Sequence, residues 1–245
     1  MKIRRKLLLI SGVIIVAAAL FIALVLAKVI HINYMFVSEK DIVGADISEY
    51  QNKVDMDILS QNVDFVYIRA TEGSSYRDMC FEKNWENAHK AGLICGAYHF
   101  FSFDSGGETQ AKNFIETVGK LEKDLVPVVD IEYYGDKAEN PPDKQSVLKE
   151  LHIFLDALEK EYGVRPMIYT LKNVYDRYLR GEVNSYPLWV RNVYYPAAFD
   201  NWENITLWQY TDTAQLDGYS EGEKYIDLDV LAEEQSLEQL MVVSE

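Results

Sequence analysis

Beyond residue 41, short apolar runs alternate with stretches of helical periodicity. The apolar runs predict strands at Ile42–Asp46, Phe65–Ala70, Ile94–Phe100, Val126–Ile131, Met167–Thr170, Leu188–Arg191, Leu207–Tyr210 and Ile226–Leu228. Apolar positions three and four apart predict helices near Met79–Ala91, Glu108–Lys120, Lys144–Glu161 and Asn173–Leu179. Pro141-Pro142-Asp143 supplies a start for the third helix and Gly163 a stop. Strand–helix alternation of this kind builds a parallel sheet. After Leu188 the intervals carry Pro, Asn, Asp and Gly, with little room for helices. The pattern therefore predicts an α/β fold: an irregular (β/α) barrel of about five βα units, then three strands lacking full helices.

Before this pattern, Leu7 to Ala27 runs without a charge. As a helix it spans about 31 Å, the thickness of a bilayer's hydrocarbon core. Lys2, Arg4, Arg5 and Lys6 precede it, so the positive-inside rule keeps the N-terminus cytoplasmic and exports the rest. The expected organisation is a basic tail at 1–6, a transmembrane signal-anchor at 7–27, a juxtamembrane spacer at 28–40 and the barrel at 41–245. A cleaved signal peptide ending at Val25-Leu26-Ala27 is the competing reading, and it exports the barrel equally.

Charge narrows the partners. The net charge is -15, but the first forty residues carry +5 and the remainder -20. Such an acidic body argues against nucleic acid, whose affinity comes from Lys and Arg on phosphates. The 17 tyrosines and four tryptophans either stack on sugar faces or fill a Tyr-rich core. Cys80 and Cys95 show no metal-ligand spacing, so no metal is expected. Export allows them a disulfide, while the apolar run around Cys95 suits a buried thiol.

Polar residues recur where the strands end: Asp46, Thr71-Glu72, His99, Asp130 and Glu132, Tyr169, Arg191, Gln209-Tyr210 and Asp227. In a barrel of parallel strands those ends converge on one mouth, where such folds place their chemistry. Asp130 and Glu132, two apart on one strand, share a face and lie about 6.6 Å apart along the backbone. Carboxylates so close in a cleft raise one another's pKa, and a protonated acid beside an ionised one suits glycosidic cleavage. The same pair also suits a solvated strand end.

Six ordered segments decide between these. Gly44-Ala45-Asp46-Ile47-Ser48, Thr71-Glu72-Gly73-Ser74-Ser75-Tyr76-Arg77-Asp78, Ala91 to Phe100, Pro127 to Glu132, Trp208-Gln209-Tyr210-Thr211 and Ile226-Asp227-Leu228-Asp229 resemble the motifs of family 25 glycoside hydrolases, the Chalaropsis-type lysozymes. The resemblance covers residues 41–231. It implies hydrolysis of the β-1,4 bond between N-acetylmuramic acid and N-acetylglucosamine, with peptidoglycan strands as partner and no cofactor. It implies Glu132 as general acid, Asp130 either steering the N-acetyl group or assisting a water, and Asp46 and Asp227 as further site acids, either of which could serve as base in a single-displacement route. It also implies sugar contacts from His99, Tyr98, Tyr169, Trp208, Tyr210 and Glu72. Asp229 lies on the same strand face as Asp227. Arg191 departs from the family pattern; it either pairs with a mouth carboxylate or binds a substrate carboxylate. A non-catalytic glycan-binding barrel, or a hydrolase of another N-acetylated glycan, would share most of these features.

Overall fold

In a computed structural model, which describes residues 2–219, 222–233 and 235–242, nine strands form one sheet that closes on itself. Helix α1 (Lys2–Leu26) is the one element among the described residues long and apolar enough to cross a membrane. Its stretch Leu9–Leu26 carries no charged residue and is almost wholly exposed. A 3-10 turn at Ile32–Phe36 then leads to the barrel.

The barrel follows as β1 (Val43–Ile47), α2 (Met56–Leu59), β2 (Phe65–Glu72), β3 (Tyr76–Arg77), α3 (Phe81–Lys90), β4 (Ile94–Phe100), α4 (Gly107–Val118), β5 (Val128–Ile131), α5 (Lys144–Tyr162), β6 (Met167–Leu171), α6 (Lys172–Val174), β7 (Leu188–Arg191), β8 (Ile205–Ala214) and β9 (Ile226–Leu231). Strand β3 only extends β2 as a short hairpin. The other eight close the barrel through β1–β2 pairing. The five βα units and the helix-poor second half stand as expected. Helix α5 keeps its ends as read: the Asp143 carboxylate accepts from the Ser146 N–H at 2.9 Å, and Gly163 takes the left-handed conformation past its C-terminus.

One expectation changes. The barrel is not wholly parallel, because β9 runs antiparallel to both β8 and β1. Only residues 215–225 separate β8 from β9, too few for the helical crossover that a parallel return requires. Strand β9 therefore starts at the mouth, and Asp227 reaches it from the beginning of its strand.

Both faces of the barrel strands are buried. Outward residues such as Val66, Ile68, Val129 and Ile168 pack under α4 and α5 with Phe114, Phe154 and Leu155. Inward residues Phe65, Tyr67, Val128, Met167, Trp189 and Leu207 fill the lower barrel, closed below by Leu237 and Leu240. Gly44 and Gly96 admit the two large rings: a Cβ would stand 2.2 Å from Phe65 at the first and 2.1 Å from Tyr67 at the second. Cys80 and Cys95 are free thiols, and Cys95 donates to the Leu93 carbonyl.

Candidate active site

Above this apolar plug the inward positions turn polar. Along each strand, alternate side chains face the interior, so Gly44 and Phe65 near the base lead upward to Asp46 and Arg69. Tyr98, Asp130, Tyr169, Trp189 and Asp227 complete the ring around a cavity of about 190 Å³, with Glu132 just past the end of β5. A larger groove of about 820 Å³ lies on the outer flank along α2, and none of these acids lines it.

Two of the acids are tied together by one amide. Asp46 and Asp227 are direct partners across β1 and β9. The Gln209 Nε2 group donates to Oδ2 of Asp46 at 2.7 Å and to Oδ2 of Asp227 at 3.1 Å. The Tyr169 hydroxyl donates to Gln209 Oε1 at 2.9 Å, which fixes the amide's orientation. Deeper in, Asp229 is fully buried and accepts from Trp189 Nε1 at 2.8 Å. Burial raises the pKa of Asp46 to about 7, opposed by the Gln209 hydrogen bond and raised further by Glu132. Burial and the Asp46 charge hold Asp227 and Asp229 well above the usual carboxylate range. Burial thus favours the neutral form of Asp229, which lies deepest of the three beside the Asp46 carboxyl.

The predicted pair occupies the opposite wall. Asp130 is 8% exposed, and its Oδ1 has no hydrogen-bond partner among the described residues. Burial first, then the charges of Glu132 and Asp46, raises its pKa well above normal. Glu132 is less deeply buried; burial raises its pKa and Arg191 opposes the rise. Both carboxyls of this pair are therefore biased toward their protonated forms relative to ordinary side chains.

Two cations flank the acids. Arg191 donates from Nη2 to Oδ2 of Asp212 at 2.5 Å, so its ion-pair partner is a rim residue absent from the family motifs. Arg69 was not singled out from sequence, although it interrupts the apolar alternation of β2. It lines the cavity, pairs with Asp78 at 3.0 Å and Glu49 at 3.2 Å, and lies over the Tyr50 ring. Gln209 was noticed only as a strand end; its role as the amide linking two acids needed the fold.

Tyr98 and Tyr169 line the cavity. Glu72 stands at the rim, 3.9 Å from Arg69. Three expected sugar contacts are corrected. His99 is fully buried on the outer face of β4, where it stacks on Phe154 and bonds Thr71 Oγ1 at 2.7 Å and Gln110 Oε1 at 3.1 Å. Trp208 and Tyr210 also face outward: Trp208 Nε1 donates to the Asn192 carbonyl, and Tyr210 is 4% exposed against Tyr34. The reason is the strand's two-residue period, which sends the neighbours Tyr98 and Gln209 inward and these three outward.

Burial lowers the His99 pKa to about 4, so it is neutral in the core. His99→Ala is expected to cost about 2–4 kcal/mol in urea unfolding, while the folded fraction keeps its kcat. A kcat loss larger than the loss of folded protein would return His99 to the site.

A barrel whose mouth gathers paired and networked carboxylates over an apolar plug is of the glycoside-hydrolase class. More narrowly, the chain belongs to the glycosyl hydrolases family 25, which residues 45–219 match. It is 32% identical over 181 residues to the uncharacterized protein YegX of Escherichia coli K12, covering 71% of this chain and 65% of that protein. It is 31% identical over 193 residues to an N,O-diacetylmuramidase of Chalaropsis, covering 71% and 90% of the two chains. The structure of a family 25 glycosyl hydrolase from Bacillus anthracis superposes with a TM-score of 0.76 at 41% identity, covering 83% of this chain and 94% of that one. The chain spans slightly under two thirds of the E. coli relative's length.

Proposed function

We propose that this protein is a muramidase held at a bacterial membrane by α1, with its barrel outside the cell. The hydrolysis reading is supported chiefly by the Asp130–Glu132 pair facing Asp46 and Asp227 across one small cavity. The membrane reading rests on the exposed apolar stretch Leu9–Leu26 of α1 and the basic residues at the start of the chain. The relative from Chalaropsis, an N,O-diacetylmuramidase, agrees with peptidoglycan as the substrate class.

In this reading the glycan strand crosses the mouth with its scissile bond over β5. Glu132, the more exposed acid of the pair, donates its proton to the glycosidic oxygen as the bond breaks. The Oδ1 atom of Asp130, free of any donor among the described residues, accepts the acetamido N–H. That contact turns the acetamido oxygen toward the anomeric carbon, where it attacks in place of a protein nucleophile. Water then opens the cyclic intermediate, with ionised Glu132 as base. Gln209 and the Asp46–Asp227–Asp229 group hold the facing wall.

The test is a digest of purified cell walls by the full chain, read by mass spectrometry. The expected fragments end in reducing N-acetylmuramic acid. Fragments ending in reducing N-acetylglucosamine would move the cleavage to the other bond. No fragments at all would leave a glycan-binding barrel.

A further inference from the structure

The membrane helix joins the barrel at its mouth, not at its base. Strand β1 must begin at the base, because its far end carries Asp46 to the cavity. The shortest tether would run straight from α1 to that base and turn the mouth away from the membrane. Instead, residues 28–37 first contact the rim and then descend the barrel's flank.

The contacts follow that descent. At the rim, Lys28 Nζ pairs with Oδ2 of Asp212 at 2.5 Å, the same oxygen that holds Arg191. Lower down, Asn33 is 1% exposed, and its Nδ2 donates to the carbonyls of Asn192 at 2.8 Å and Tyr210 at 2.9 Å. The Tyr34 ring packs edge-on against Tyr210, and Phe36 packs edge-on against Phe199. A loose spacer would not bury an asparagine against two backbone carbonyls, each costly to leave unpaired. The segment read from sequence as a spacer is a docked strap.

The same flank is unusually apolar outside. Val29, Met35, Phe36 and Phe199 are 65%, 83%, 53% and 70% exposed, and Val29 follows the end of α1 by three residues. Side chains of this kind next to a membrane span belong at the headgroup interface. Lys28 follows the end of α1 by two residues, at most about 7 Å of chain.

We propose that the strap holds the mouth end of the barrel against the bilayer, so that the enzyme takes glycan lying next to the membrane. This rests on the membrane reading given above and adds the orientation that a tether alone would leave free. The partner surface is the headgroup region beneath Val29, Met35, Phe36 and Phe199. Cleavage would then be confined to strands at or still attached to the membrane face, and the outer wall would be out of reach.

Helix α5 offers a ruler, since it runs from the mouth side at Lys144 to the base side at Tyr162. Exposed Gln145 and Glu161 lie about 24 Å apart along it and accept single-cysteine labels in a Cys80→Ser background. The full chain is reconstituted in phosphatidylethanolamine–phosphatidylglycerol vesicles with a headgroup-linked energy acceptor. The Gln145→Cys label should show roughly twofold greater transfer than the Glu161→Cys label, given their separation. A flexible Gly/Ser insertion of about 20 residues after Ala27 should abolish the difference without changing the melting curve. Equal transfer from both labels, or more from Glu161→Cys, in chain that floats with the vesicles would overturn the orientation alone. Chain that fails to float with the vesicles would overturn the membrane reading and this inference with it. The wall digest reports on the chemistry independently of either.

Discussion

Glu132→Gln is expected to slow the clearing of purified cell walls by about 10²–10⁴-fold, the usual contribution of a positioned general acid. Glutamine keeps the size and hydrogen-bonding reach of the side chain but has no proton to give. Its neighbours should therefore stay in place, with an unchanged circular dichroism spectrum and little change in KM. The pH profile carries a second signature. Burial raises the Glu132 pKa, so the protonated form persists to higher pH than in an ordinary glutamate, and activity should fall as pH rises and the proton is lost. The variant's residual activity should lack this descending limb. Clearing at the wild-type rate would remove Glu132 from the acid role and shift attention to Asp46, which burial also keeps protonated toward neutral pH.

Asp46→Asn should stabilise the protein at neutral pH while impairing the enzyme. The Asp46 carboxyl binds its proton more tightly in the folded chain, with a pKa of about 7 against 3.8 for an ordinary aspartate. Between those values the folded state holds more protons than the unfolded state, so stability falls as pH rises from about 4 to about 7. The ceiling for this carboxyl alone is about 4 kcal/mol. Asparagine is neutral throughout, and its amide oxygen can still accept from Gln209. At about pH 8 the variant should melt several degrees above wild type, and below about pH 4 the two should coincide. His99 works in the opposite direction, since its lowered pKa gives stability that is lost as pH falls from about 6.5 toward about 4. Comparing variant with wild type at each pH cancels that contribution. Equal melting temperatures at about pH 8 would mean that the mouth is wetter than its burial indicates. The expected outcome is the common one for site acids: a group kept for function at a cost in stability.

The strand and helix positions were legible because they rest on local periodicity. Phe65–Ala70 and Leu188–Arg191 read as strands from their own residues, and α5 from its spacing, its Asp143 cap and Gly163. The Asp130–Glu132 pair was legible for the same reason, since positions two apart on a strand share a face in any fold. The membrane-length helix needed only composition. Ordered motifs then carried the family.

What sequence could not decide was which face is which. In this barrel both faces of a strand are buried, one around the plug and one under the helices, so apolar alternation does not mark the inside. Tyr98 and His99 are adjacent polar aromatics with equal claim on the mouth; closure of the sheet sent one in and one out. The direction of β9 depended on the length of the preceding loop and on an open place between β8 and β1. Gln209 could link Asp46 to Asp227 only after residues 163 and 18 positions away from it had met. Lys28 likewise found Asp212 across 184 positions, turning a spacer into a strap. Local periodicity determined the elements, the acid pair and the membrane-length helix. The facing of each side chain, the wiring of the acids and the docking of the strap came from contacts between distant segments, which exist only once the barrel has closed.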